Sequence, residues 1–381
     1  MSTTGSEWEP GPFRQEMMSR RLFMQSKILL SRGVMEEGLH LVRKSSSIAE
    51  RYEFPDIKIA ADDLLRRYCT SSSNSGKYDG LINQSLTHLN NLYQAKNGLY
   101  NHGFRTKPRW IPSSGSKKAW FWHQVALINQ LFQEKRLLQA KYSAVELLNF
   151  LKQEKIVDTR NKRAQTQLCL ARVLIHLREY QEAVTVARQA VSNCINCTKE
   201  KLESLEVLFF AHLRAGHLCK AEADYRLAQP SCLADPISAC KWTLMQAALR
   251  FSQERFPLVY KVLNSRGNAN KSTRLWILGY KFLEMLTTLE LQDYDWYEYK
   301  FDLLRKQLQS LNGTTNTRIK LVSGLLAAIT KNNYSFGALV RNESETLDYL
   351  NSSDSATYWD PMGMEVVNIP QWLIFKSQAN S

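Results

Sequence analysis

Residues 164–191 read AQTQLCLARVLIHLREYQEAVTVARQAV, and this stretch decides the fold. Leu168, Leu170, Ala171, Leu174, Ile175 and Leu177 recur at the spacing of one helical face. A polar break at Arg178-Glu179 follows, and then Tyr180, Ala183, Val184, Val186, Ala187 and Ala190 repeat the pattern. Two antiparallel helices joined by a short turn satisfy both halves. Small residues stand where the helices must approach closely, Ala171 on the first and Ala183 and Ala187 on the second.

Working outward, the same unit returns. Leu208, Gly216, Leu218, Ala221, Tyr225 and Ala228 form the next one, with Phe209 where a small residue is expected. Residues equivalent to Tyr180 follow at a constant step of 38, at Leu218, Phe256 and Tyr294, and Tyr334 comes 40 later. Upstream, Leu137, Ala140 and Ala144 keep the offsets, as do the turn Gly33, Met35, Gly38 and Val42. A weaker unit starts at Tyr78.

This pattern resembles the tetratricopeptide repeat, which pairs a large and a small apolar residue on its first helix. Its second helix opens with an aromatic and continues with alanines. The resemblance implies an all-α fold, a right-handed superhelix of about seven or eight helical hairpins. Each hairpin buries its apolar face by stacking on its neighbours, which gives such arrays a long concave surface. In that family, first-helix residues line the groove and hold an extended peptide or a partner helix. By offset, the groove residues expected here are Arg172, His176, Phe210 and Arg214. The arginines are expected to pair with acidic partner groups, and Phe210 to supply apolar contact.

The organisation expected is a flexible N-terminus over 1–16, helical hairpins over 17–95, a basic Trp-containing loop over 96–118, the repeat array over 119–340, and a cap or tail over 341–381. Residues 70–76, TSSSNSG, read as a short loop.

The formal charge of +14 is uneven: residues 1–200 carry 30 Lys+Arg against 18 Asp+Glu. An acidic partner suits the cations Arg105, Lys107, Arg109, Lys117, Lys118, Lys152, Lys155, Arg160, Lys162 and Arg163. Trp110, Trp120 and Trp122 lie among the first of these, so nucleic acid is the alternative partner to a protein or peptide. The competing reading is that Trp120 and Trp122 begin a buried helix while the cations solubilise a loop.

Cys194, Cys197, His212 and His217 match the spacing of a zinc site. Residues 200–214 read as one continuous helix, however, which separates the cysteines from His212 by roughly 20 Å at 1.5 Å per residue. No zinc or other cofactor is expected. GxSxG, HExxH, GxxxxGK[ST] and GxGxxG are all absent, and the seven His are scattered singly, so no enzyme is expected. The sequence carries no apolar run long enough to cross a membrane, its N-terminal residues lead us to expect no secretory leader, and the odd count of seven Cys points to reduced thiols. A cytoplasmic interaction scaffold or adaptor, working within a larger complex, is the expectation.

Overall fold

In a computed structural model, the structure describes residues 11–68, 72–97, 116–194, 198–232, 236–264, 274–310, 317–352 and 356–379. Among these are eighteen helices and no strand. The chain divides into two units, Met1–Leu170 and Ala171–Ser381.

Unit 1 holds α1 (Pro12–Ser31), α2 (Met35–Arg51), α3 (Pro55–Tyr68), α4 (Ser72–Asn97), α5 (Lys117–Gln133), α6 (Leu137–Gln153) and the start of α7 (Arg160–His176). Helix α1 packs on α2, α2 on α3, α3 on α4, and α5 on α6. Two readings of the sequence change here. Helix α4 begins at Ser72, inside the serine-rich stretch read as a loop, and α1 begins at Pro12, inside the stretch read as flexible. Proline at the first turn of α1 gives up no hydrogen bond, because that amide has no acceptor within the helix.

Unit 2 continues with α8 (Tyr180–Asn193), α9 (Thr198–Arg214), α10 (Leu218–Cys232), α11 (Pro236–Ser252), α12 (Phe256–Asn264), α13 (Arg274–Glu290), α14 (Tyr294–Ser310), α15 (Thr317–Lys331), α16 (Phe336–Asn342), α17 (Ser344–Asn351) and α18 (Ile369–Ala379). Tyr180, Leu218, Phe256 and Tyr294 are the opening residues of α8, α10, α12 and α14. The constant step in the sequence is therefore the step from one second helix to the next.

The turns explain the regularity. After α7, the Arg178 amide donates to the Ile175 carbonyl at 3.1 Å and the Glu179 amide to the Leu174 carbonyl at 2.9 Å. This crossed pair satisfies two end carbonyls and requires left-handed backbone at the first residue past the helix cap. The arrangement recurs at Gly33, Glu53, Lys135, Gly216, Glu254, Gln292 and Asn333, all with positive φ. Glycine stands at only two of these eight turns.

Packing is tandem. Helix α9 contacts α8 and α10, α11 contacts α10 and α12, and α13 contacts both α11 and α12 as well as α14. Ala171, Ala183, Ala187, Ala190, Ala221 and Ala228 are fully buried, which lets the backbones close in. Phe209, standing in for a small residue, is equally buried and meets Trp242 edge-on at 5.9 Å. Tyr297 reaches across to donate its hydroxyl to the Leu326 carbonyl at 2.8 Å.

Candidate functional site

The chain's own C-terminal segment, residues 356–368, lies against several first helices of unit 2. From α17 the chain passes along α7, α9, α13 and α15 before entering α18. Each crossing has a specific tie.

On α7, the His176 ring stacks on Tyr358 at 5.7 Å and 5°. Its Nδ1 lies 3.0 Å from the Tyr358 hydroxyl, which donates in turn to the His176 carbonyl at 3.3 Å. His176 Nε2 is 3.3 Å from an Asp360 carboxylate oxygen. Burial holds the Tyr358 hydroxyl proton up to about 12, with the Asp360 charge adding to the effect.

On α9, Arg214 donates from Nε and Nη2 to the Pro361 carbonyl at 3.1 and 2.6 Å. Its guanidinium also lies 4.7 Å from the Trp359 ring centre. Burial pulls Arg214 down to about 10, which still leaves it charged at neutral pH. On α13, Gly279 lets the Met364 carbonyl approach so closely that a Cβ would overlap it. On α15, Arg318 grips Glu365 through two nitrogens and also donates to the Leu350 and Thr357 carbonyls. Beyond the segment, Trp372 of α18 donates to Glu290 at 2.9 Å and meets Phe336 edge-on.

The four groove residues expected from the sequence are thus placed as follows. His176 and Arg214 face the same segment and hold it, so neither is open to an acidic partner group in this conformation. Phe210 is fully buried, edge-on to Phe209 at 5.7 Å, and offers no outward apolar contact. Arg172 is half-exposed, with Nη2 3.6 Å from Glu203. Arg318, Gly279 and Glu365 were not singled out from the sequence. A lone Arg on a helix face carries no mark that a distant Glu will meet it.

The cationic set is placed as follows. Lys117 pairs with Glu154 at 2.5 Å, and Lys118 donates to the Glu53 carbonyl and sits over the Phe54 ring. Lys162 lies over the Phe121 ring, and Arg163 pairs with Asp158. Lys155 also has interactions within the chain. Of the described members only Lys152 and Arg160 stand as plain exposed cations. Arg105, Lys107, Arg109 and Trp110 lie outside the described residues. Trp120 belongs to α5 and packs on Phe150 at 4.1 Å, so it is no free stacking platform.

Two arrangements with a chemical look resolve into structural ones. Ser116 donates to Glu53 at 2.9 Å and lies 2.9 Å from His88 Nε2, but its oxygen also accepts the Ala119 amide. Glu53 accepts the Lys117 and Lys118 amides as well. Ser116 and Glu53 together cap the positive end of α5. In the zinc-like spacing, α9 is one unbroken helix, and buried His212 gives its Nδ1 to Asp224 of α10 at 2.6 Å. Cys194 lies against Ser204, while Cys197 is outside the described residues.

No family model matches the chain, and no curated protein matches it. Among solved structures it is similar to the Rap conjugation gene regulator of the plasmid pLS20 in complex with the Phr peptide, at 11% identity over 97% of each chain and a TM-score of 0.46.

Proposed function

We propose that the protein is a non-catalytic interaction scaffold or adaptor subunit that holds an extended peptide segment of a protein partner on the first-helix face of unit 2. One observation carries this reading. That face already grips a non-helical stretch of this chain, Thr357–Asn368, using side chains from α7, α9 and α15 and close backbone approach at Gly279 of α13.

The chemistry of the grip defines the ligand. Arg214 reads a backbone carbonyl, which any sequence supplies. His176 reads an aromatic hydroxyl and a carboxylate, and Arg214 adds a cation–π contact to a second aromatic. A partner segment with two aromatics followed by an acid and proline would satisfy the same groups, in exchange for the chain's own copy. The cytoplasm is the compartment proposed, since Cys169, Cys194, Cys219 and Cys240 are free thiols.

A fluorescent synthetic peptide copying residues 356–368 tests the reading on the full chain. Tyr358→Ala with Trp359→Ala weakens the internal copy, and this variant should bind the peptide at least tenfold more tightly than the unsubstituted chain. Adding Arg214→Gln to the variant should reverse the gain. Equal affinity of all three chains, or binding by none of them, rejects the proposal.

A further inference from the structure

Helix α1 carries apolar residues on two sides: Leu30 and Phe23 pack into the core with Val42 of α2 and Leu65 of α3. The same inner side meets α2 through small residues: Ser19 donates to the Ser45 carbonyl at 3.0 Å, Ser45 donates back to the Ser19 carbonyl at 2.8 Å, and Ser26 is also buried. Gly38 of α2 accommodates the Leu30 side chain at the same seam. A second set of large apolar residues points outward. Phe13 is 75% exposed, Met17 53%, Met24 57% and Ile28 50%.

At 100° per residue these four fall within an arc of about 60° and run for about 22 Å along the helix. Cations border the stripe on both sides, with Lys27 on one edge and Arg14, Arg21 and Arg32 on the other. Arg14, Arg21 and Arg32 are exposed and have no ion partner among the described residues. Arg20, at the edge, is already neutralised by Glu16 and Asp56. An exposed apolar stripe on a helix already packed along its opposite side is a surface awaiting cover.

We infer that this stripe docks an amphipathic helix of a partner protein, with acidic residues flanking the partner's apolar seam. Three properties select that occupant. Two methionines make the stripe deformable, which suits side chains of varied shape. The unpaired cations call for carboxylates beside the seam. The arc is also narrower than the face of 100° or more by which a helix commonly lies against a broad apolar phase. A second copy fits poorly: antiparallel pairing about the middle of the stripe would set Arg14 against Lys27 and Arg20 against Arg21. This site is independent of the segment on unit 2, and neither proposal needs the other.

The test uses the full chain and two designed helical peptides of 21 residues, with identical leucine seams flanked by Glu in one and by Lys in the other. Fluorescence anisotropy should show the Glu peptide binding at least tenfold more tightly than the Lys peptide, with affinity falling as salt rises. Met17→Glu with Met24→Glu should weaken that binding tenfold or more while leaving the circular dichroism spectrum and melting temperature unchanged, because both side chains lie outside the core. Equal binding of the two peptides, or undiminished binding by the variant, overturns the inference. Tighter binding to phosphatidylglycerol vesicles than to the Glu peptide, or a dimer in sedimentation equilibrium that the variant abolishes, also overturns it by assigning the stripe to another occupant.

Discussion

Arg318 and Glu365, 47 positions apart in sequence, meet as a two-pronged ion pair, Nε to Oε2 at 2.6 Å and Nη2 to Oε1 at 2.9 Å, with both side chains buried. Around them the Ile369 amide donates to the same carboxylate at 3.1 Å, and the Arg318 guanidinium also holds two backbone carbonyls. Removing one partner leaves the other charged and buried, which costs about 3–5 kcal/mol. Arg318→Met should therefore lower the denaturation midpoint sharply. The double variant Arg318→Met with Glu365→Met should recover part of the loss. It should not recover all of it, since the Leu350 and Thr357 carbonyls stay without their donor. Urea melts of the two variants and the parent measure both steps.

Gly279 controls the next crossing of the segment. Its added Cβ would overlap the Met364 carbonyl and press on Leu244 Cδ2 at 2.7 Å. One of these neighbours is backbone, so the overlap cannot be relieved by a rotamer change. Gly279→Ala gains about 1 kcal/mol of helix propensity, but overpacking costs about 1–3 kcal/mol. The segment, being irregular and not part of α13, is what should yield. Hydrogen exchange at residues 356–368 should speed up in this variant, while exchange within α13 stays slow.

Left-handed turns set a third expectation. Arg178, Glu254 and Gln292 adopt φ of 65°, 57° and 57° without being glycine. An L-residue pays about 1–2 kcal/mol for that conformation, and glycine pays part of it back in unfolded-state entropy. Arg178→Gly, Glu254→Gly and Gln292→Gly should each stabilise the protein by up to about 1 kcal/mol. Gly216→Ala, at φ 76°, should destabilise it by a similar amount. Thermal melts of the four single variants decide the matter.

These turns also show why the fold was legible and the site was not. Apolar spacing and the step of 38 locate the helix pairs, because every hairpin must present the same faces to its neighbours. Glycine marks the turn only at Gly33 and Gly216; elsewhere the geometry is imposed by the two helices it joins. Ser72 opens a helix although serine-rich stretches favour loops, so tertiary packing on α3 overrides local preference. The groove positions on α7 and α9 follow from offset alone. What occupies them depends on Tyr358, Asp360 and Pro361, far along the chain in a stretch without periodicity. Nothing in the spacing of α1 distinguishes an inward apolar stripe from an outward one until Ser19 and Ser45 are seen to meet.

Half-buried lysines in unit 1 give a final, pH-dependent expectation. Lys118 donates to the Glu53 carbonyl at 2.5 Å, Lys162 sits 4.9 Å from the Phe121 ring centre, and burial pulls each down to about 8. In the unfolded chain both return to about 10.4. Below pH 8 the two states are equally protonated, so stability does not change on this account. Between pH 8 and 10 the unfolded state holds the extra protons, and stability must rise with pH. Tyr334 and Tyr358 act in the opposite sense: folded, they are held up to about 12, so above pH 10 the unfolded state loses its phenolic protons first. The melting temperature should accordingly climb by a few degrees from pH 7.5 to about 9.5 and fall beyond 10. Replacing both lysines, Lys118→Met with Lys162→Met, should flatten the climb and leave the fall. A climb that survives in the double variant would show that these two ammonium groups are not its source.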